Sequence, residues 1–375
     1  MKNIFFKKLV FLILFFLILL FPKIISAQES RGETLEGRVI EISDNGEKLV
    51  NDQHFPYQVL EILIDRGSLE GSQIQVLNES GLDANNLTVV NYRAYKLGDR
   101  LRIYTDFNQE EERFFLIEGV VKRQALLFLL ILFVIAVLVV TGGLGLLALL
   151  GLIISFLVIS RVLIPMVLAG RPPILSALIS SLLIIPASFY LTHGFKKKTH
   201  SAVLATVISL LITMLLAFYF VNLTNLTGFA SEEAVFVSNL SRGKIDLLSL
   251  LFAGIMIGAL GILDDVTIGQ ASVTEQLSLA NPKLDSWTLF LRSMKVGRDH
   301  VSSMINTLIL VYAGSAMPLL ILFFDGQHTF IDVIELEIVA EEIVKTLLSS
   351  LGLILAVPLT TFLSVFVFKN SDDSD

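Results

Sequence analysis

Long apolar runs dominate the last two thirds of the chain, whereas short runs of alternating apolar and polar residues dominate the part before them. Residues 124–160 contain no Asp, Glu, Lys or Arg, and one membrane-spanning helix needs about 20 apolar residues. Gly142 and Gly143 interrupt this run, so it predicts two helices rather than one. The whole pattern predicts seven crossings, over residues 124–141, 145–168, 173–192, 201–222, 246–263, 301–324 and 343–367.

The alternating part predicts a small β-rich domain over residues 28–123. Short strand patterns lie at residues 39–42, 57–64, 73–76, 87–90, 99–104 and 114–121. Five or six strands at this spacing, separated by turns rich in Gly and Asn, are typical of a small β-barrel or sandwich. The segment Tyr95–Arg100 is similar to a hairpin of OB-like barrels. No nucleophile lies beside a base here, so we expect this domain to bind a partner or to cover the membrane part.

The N-terminus has the layout of a targeting segment. Lys2, Lys7 and Lys8 precede an uncharged run, and small residues follow it near Ala27. This layout predicts either a cleaved signal peptide or a retained anchor helix over residues 1–27. Both place the β-rich domain outside the cytoplasm, because basic residues near the start stay inside. The predicted domains are residues 1–27, 28–123 and 124–368, with a cytoplasmic tail at 369–375.

Composition supports a membrane protein. Hydrophobic residues make up 54% of the chain, charged residues 17%, and the mean hydropathy is +0.75, which exclude an ordinary soluble enzyme. The expected fold is an α-helical polytopic membrane protein of about seven helices, with an N-terminal signal or anchor helix and an extracytoplasmic β-rich domain. Basic residues concentrate in segments that this topology places inside, notably residues 193–200 and 264–300. The chain has no strongly basic segment, so nucleic acid is not an expected partner.

An acidic pair gives the strongest chemical signal. Asp264 and Asp265 follow the predicted span 246–263, and acidic residues at or within a membrane are functional candidates. Adjacent carboxylates repel one another, so the pair either holds a proton or shares a cation. Thr267 and Gln270 add oxygen atoms within two turns. The competing interpretation is an ordinary polar helix end at the lipid interface.

The segment after this pair predicts an amphipathic helix on the inner leaflet, because Trp287, Phe290, Leu291 and Met294 recur at helical spacing. His300 meets the membrane edge, where it either relays protons or is an ordinary interfacial histidine. Another acidic pair lies at the outer end of the last span. The substrate- or ion-binding candidates are Asp264, Asp265, Thr267, Gln270, Arg298, Asp299, His300, Asn306, Glu341 and Glu342.

Four blocks in order resemble one family. They are Gly261–Thr267, Gly297–His300, Asn306–Leu308 with Tyr312–Gly314, and Glu341–Val344 with Gly352–Thr361. Together they look like the YibE/F-like membrane proteins of bacteria, over roughly residues 35–368. The resemblance implies a multi-pass protein of the bacterial plasma membrane with an extracytoplasmic N-terminal domain. It implies no activity and no catalytic residues.

Two functions fit these features. The first is a transporter or permease for a small solute or ion, because acidic groups lie at helix ends and prolines interrupt several spans. The alternative is a non-catalytic assembly, sensing or regulatory protein that binds a partner through residues 28–123. An enzyme is disfavoured: a Leu-Asp-Asp helix end also occurs in polyprenyl-phosphate phosphosugar transferases, but their other acidic blocks are missing here.

Overall fold

The computed structural model describes residues 32–50, 53–79, 92–107, 113–241, 243–321 and 329–369. The predicted signal or anchor segment 1–27, the strand at 87–90 and the tail after Lys369 lie outside the described residues. The chain forms two compact units, which divide between residues 136 and 137.

The first unit is built on one five-stranded antiparallel sheet with the order β3-β2-β1-β4-β5. Its strands are β1 (Glu33–Val50), β2 (Gln53–Arg66), β3 (Gln73–Glu79), β4 (Arg100–Phe107) and β5 (Arg113–Val120). The long β1 pairs with β2 and β4, and shifts of register beside Gly37 and Ile42 bend it. Alternate side chains, among them Leu60, Ile62 and Ile103, fill the core. This half-barrel confirms the predicted β-rich domain.

The rest of the described chain is helical. Its elements are α1 (Arg123–Thr141), α2 (Gly143–Val158), a π-helical turn (Ile159–Leu163), α3 (Ile164–Leu168), α4 (Pro173–His193), α5 (Lys197–Leu223), α6 (Glu232–Leu240), α7 (Leu247–Ala280), α8 (Ser286–Ser315), α9 (Met317–Ile321), α10 (Phe330–Glu335) and α11 (Glu337–Lys369). Within the described residues, six stretches are long and apolar enough to cross a membrane: α1, the run from α2 to α3, α4, α5, α7 and α11. They confirm the polytopic helical fold.

The predicted break between the first two helices of this part is confirmed. Helix α1 ends at Thr141, α2 begins at Gly143, and Gly142 lies between them with a φ of 60°. A glycine adopts this backbone conformation without the steric cost that a Cβ would bring.

Two boundaries differ from the prediction. The segment 301–324 is not among the six apolar helices, because it divides between the end of α8, the short α9 and residues beyond 321. Helix α7 does not end at the acidic pair but continues to Ala280, so residues 264–280 are not a loop. No proline follows the pair in this helix, and Val266 and Ala271 are buried against neighbouring helices.

The start of α8 packs on the other helices through a stripe that is distinct from the one predicted to face the inner leaflet. Leu289, Ser293 and Gly297 form the buried stripe, whereas Trp287 is 66% exposed. The stripe packs against α7 and α11, where an added Cβ on Gly297 would lie 2.6 Å from Cγ1 of Val357. Close helix packing at small residues therefore determines which side of α8 is buried.

Helices α5, α7 and α11 pack together through hydroxyl groups and small side chains. The Oγ1 atoms of Thr206 and Thr267 lie 2.7 Å apart, and the Ser364 hydroxyl donates to Oγ of Ser201 at 3.0 Å. All four side chains are buried. Small and hydroxyl-bearing residues let membrane helices approach closely and hydrogen-bond across their contacts.

Candidate functional site

A cavity of about 540 Å³ lies between α2, α4 and α7, and we call it the aspartate cavity. Asp264 and Asp265 line it from the middle of α7. Most of the other lining side chains are apolar. The remaining polar ones come from α2 and α4: Ser155, Ser188, Thr192 and His193. A mostly apolar cavity with a few convergent polar groups is the usual form of a small-ligand site.

The two aspartates differ in their surroundings. Asp264 is half-buried, and its Oδ2 accepts a hydrogen bond of 3.3 Å from the Ser188 hydroxyl on α4. The Asp265 side chain is more exposed. Two carboxylates beside apolar walls cost free energy unless a proton or a cation neutralises part of their charge. The arrangement is therefore suited to binding a cation or to taking up a proton.

Two local features of the helices lie near the cavity. Gly151 on α2 faces α4, and a Cβ added to it would lie 3.5 Å from the hydroxyls of Ser188 and Thr192. The π-helical turn follows α2 directly, and its first residue, Ile159, lines the cavity. Single π-turns within α-helices occur frequently at functional sites.

Thr267 and Gln270, which the sequence places near the pair, do not line this cavity. Gln270 is 2% exposed, and its Nε2 donates to the Ser293 carbonyl at 3.0 Å and to Oγ1 of Thr361 at 2.7 Å. It therefore joins α7 to α8 and α11. Thr267 likewise contacts α5 through its hydroxyl. Both residues therefore hold helices together.

The candidates on α8 are also separate from the pair. Arg298, Asp299, His300 and Asn306 are exposed, and none of them lines the aspartate cavity. Helix α8 turns its buried stripe toward the bundle, which directs these four side chains elsewhere.

The two residues of the second acidic pair, Glu341 and Glu342, line two different further cavities. Glu341 is 6% exposed and lines a cavity of about 230 Å³ near the start of α7. Glu342 lines another of about 250 Å³ beside Tyr312. One position along α11 turns the side chain by about 100°. The structure therefore does not bring the two acidic pairs together.

Sequence reasoning missed the polar residues of α4. Ser188 and Thr192 are four residues apart and His193 is adjacent, so they share one side of an otherwise apolar helix. That spacing is the signal that could have revealed them. In the described part of the chain, no group of three or more His, Cys, Asp or Glu residues is arranged to hold a metal ion.

The family model described as YibE/F-like protein matches residues 129–370. No curated protein and no solved structure matches the chain. The family match excludes the half-barrel but includes every helix that lines the aspartate cavity. Because it covers well over half of the sequence, the chain belongs to the YibE/F-like family.

Proposed function

We propose that this protein is a membrane transporter that binds a cation or a proton in the aspartate cavity. One observation carries the proposal: two adjacent carboxylates line a cavity between helices that are apolar enough to cross a membrane. Ionisable residues on such helices that face a cavity commonly mark ion pathways and proton relays.

The charge of the cavity supports a positive ligand. Asp264 and Asp265 are its acidic lining residues, and no Lys or Arg among the described residues lines it. Lys198, a nearby base, is instead paired with Glu275, Nζ to Oε2 3.0 Å. The negative charge of the pair is therefore available to a cation, while the Ser188 hydroxyl orients one carboxylate.

Interruptions in the surrounding helices support movement of that ligand. The π-helical turn and Pro165 interrupt the run from α2 to α3, and Pro186 lies within α4, two residues before Ser188. Proline removes a backbone hydrogen bond from a helix interior. Broken helices line substrate routes in many transporters.

Thermal unfolding of the purified protein would test binding. We expect a divalent or monovalent cation, or a change of pH, to raise the unfolding temperature of the wild type. The double variant Asp264→Asn, Asp265→Asn should lose this response. Asp299→Asn is the matched control, because Asp299 is exposed on α8 and should leave the response unchanged.

Flux through proteoliposomes would test transport. Uptake of ²²Na⁺, uptake of ⁸⁶Rb⁺ and internal acidification reported by pyranine should depend on Asp264 and Asp265. Identical titration curves for the wild type and the double variant would reject the aspartate cavity as the binding site. Binding without any flux would instead favour a sensing or assembly role.

A further inference from the structure

Glu341 is a buried carboxylate with an unused oxygen. It lies in the second turn of α11 and is 6% exposed. Its Oε2 is 3.2 Å from Nζ of Lys345, one turn further along the helix. Its Oε1 is buried and has no hydrogen-bond partner among the described residues. A buried acceptor without a donor costs free energy, so its presence calls for a ligand.

Glu341 lines a cavity of about 230 Å³, which we call the Glu341 cavity. Its walls come from α6, α7, α11 and the loop at Gly228. Among the residues that the structure describes, the charged ones that line it are Glu233, Glu341 and Lys345. These two acidic groups and one basic group leave one negative charge without compensation among them.

We propose that the Glu341 cavity binds a small monovalent cation, which contacts Oε1 of Glu341. A single positive charge balances the lining charges, whereas a divalent ion would leave an excess. The cavity is several times the roughly 30 Å³ that a water molecule occupies in the liquid, so a partly hydrated ion fits. Lys345 then acts as a tethered counter-ion on the other oxygen of Glu341.

The position of this site along α7 connects it with the aspartate cavity. Gly254 lines both the Glu341 cavity and an apolar cavity of about 450 Å³. Ile257 lines both the apolar cavity and the aspartate cavity. Gly254 and Asp264 are about 15 Å apart along the helix at 1.5 Å per residue. That this row of cavities forms one ion route rests on the proposed transport function, whereas the Glu341 site itself does not.

The test is thermal unfolding of the full-length protein in NaCl, KCl or NH₄Cl. The bulky cation N-methylglucamine keeps the ionic strength constant. To remove the contribution of the aspartate cavity, the background is the double variant Asp264→Asn, Asp265→Asn. We expect at least one small cation to raise the unfolding temperature. Glu341→Gln should weaken its apparent affinity by about tenfold or more. Glu335→Gln, an exposed acid on α10, should leave the affinity unchanged.

The variant Lys345→Met is a second test of the proposal, for the case in which the Glu341 variant does not fold. Without the tethered ammonium, the cavity gains negative charge, so we expect lower stability in N-methylglucamine and tighter cation binding. Equal stability in all four salts, for both the background protein and its Lys345→Met form, would overturn the proposal. In that case bound water satisfies Oε1. Cation binding at Glu341 in a protein that shows no flux would reject the transport function while leaving this site in place.

Discussion

The Ser188 hydroxyl on α4 donates to Oδ2 of Asp264 on α7 over 3.3 Å, and this contact joins two helices at the wall of a cavity. It sets the orientation of one carboxylate beside its neighbour, Asp265. Residues 76 positions apart in sequence thus belong to one polar group.

Replacing Ser188 with Ala should weaken cation binding in the aspartate cavity. A hydrogen bond to a carboxylate helps to hold it in position, so we expect apparent affinity to fall by about threefold to tenfold. The measurement is the unfolding temperature of the variant at increasing cation concentration. Ser180→Ala is the control, because the Ser180 hydroxyl bonds to the Ser176 carbonyl within α4. Equal losses in both variants would contradict a specific role for Ser188.

Replacing Gln270 with Leu should lower the stability of the protein without changing its cation binding. The change removes hydrogen bonds to the Ser293 carbonyl and to Thr361, so the free energy of unfolding should fall by about 1–3 kcal/mol. The apparent affinity for cations should stay within about twofold of wild type, because Gln270 does not line the aspartate cavity. Loss of the cation response in a folded variant would instead make Gln270 a ligand.

Two glycines of α8 should respond oppositely to alanine. A Cβ on Gly297 would lie 2.6 Å from Cγ1 of Val357 and 2.8 Å from Oε1 of Gln270, so Gly297→Ala should destabilise by about 1–3 kcal/mol. A Cβ on Gly314 meets no atom within 4 Å among the described residues. Gly314→Ala should be neutral or stabilising by up to about 1 kcal/mol, since alanine favours helix. Denaturation of both variants under one condition checks the difference.

Replacing Ile257 with Trp should obstruct the point that the apolar and aspartate cavities share. Apolar constrictions act as gates in ion pathways. We expect flux in proteoliposomes to fall by about tenfold or more. Cation-dependent stabilisation should persist in this variant, because no carboxylate changes. Leu279→Trp, at an exposed position on the same helix, should transport normally. Normal flux through the Ile257 variant would exclude this route.

The start of α8 should loosen in acid. The Asp285 carboxylate caps the helix by accepting from the Thr288 backbone N–H at 2.9 Å, and this hydrogen bonding lowers the pKa of Asp285. A lowered pKa means that the cap is fully present above the ordinary value near 4 and is lost as the pH falls through the lowered value. Hydrogen-exchange protection of the Thr288 amide should therefore decrease in acid. Asp285→Ala should lower the protection at neutral pH and abolish its pH dependence.

The sequence predicted the helices better than the point where α7 ends or the helices that meet at the site. Apolar length and the break at Gly142 are local properties, and they located six of the seven predicted crossings in the described chain. The end of α7 was misplaced because a charged pair resembles a helix terminus, whereas packing of Val266 and Ala271 continues the helix. The spacing of Ser188 and Thr192 indicates a polar side of α4, but no local pattern encodes that this side meets the acidic pair on α7.

The hydroxyl-rich contacts among α5, α7 and α11 imply that the two units of this protein respond differently to temperature. The half-barrel closes an apolar core away from water, and hydrophobic stabilisation weakens on cooling. Helices already surrounded by lipid remove little apolar surface from water when they associate, so their packing carries only a small heat-capacity change. We therefore expect calorimetry to show that most of the heat-capacity change on unfolding, which curves the stability of this chain with temperature, comes from the half-barrel. On cooling, the sheet of the half-barrel should loosen before the helices separate.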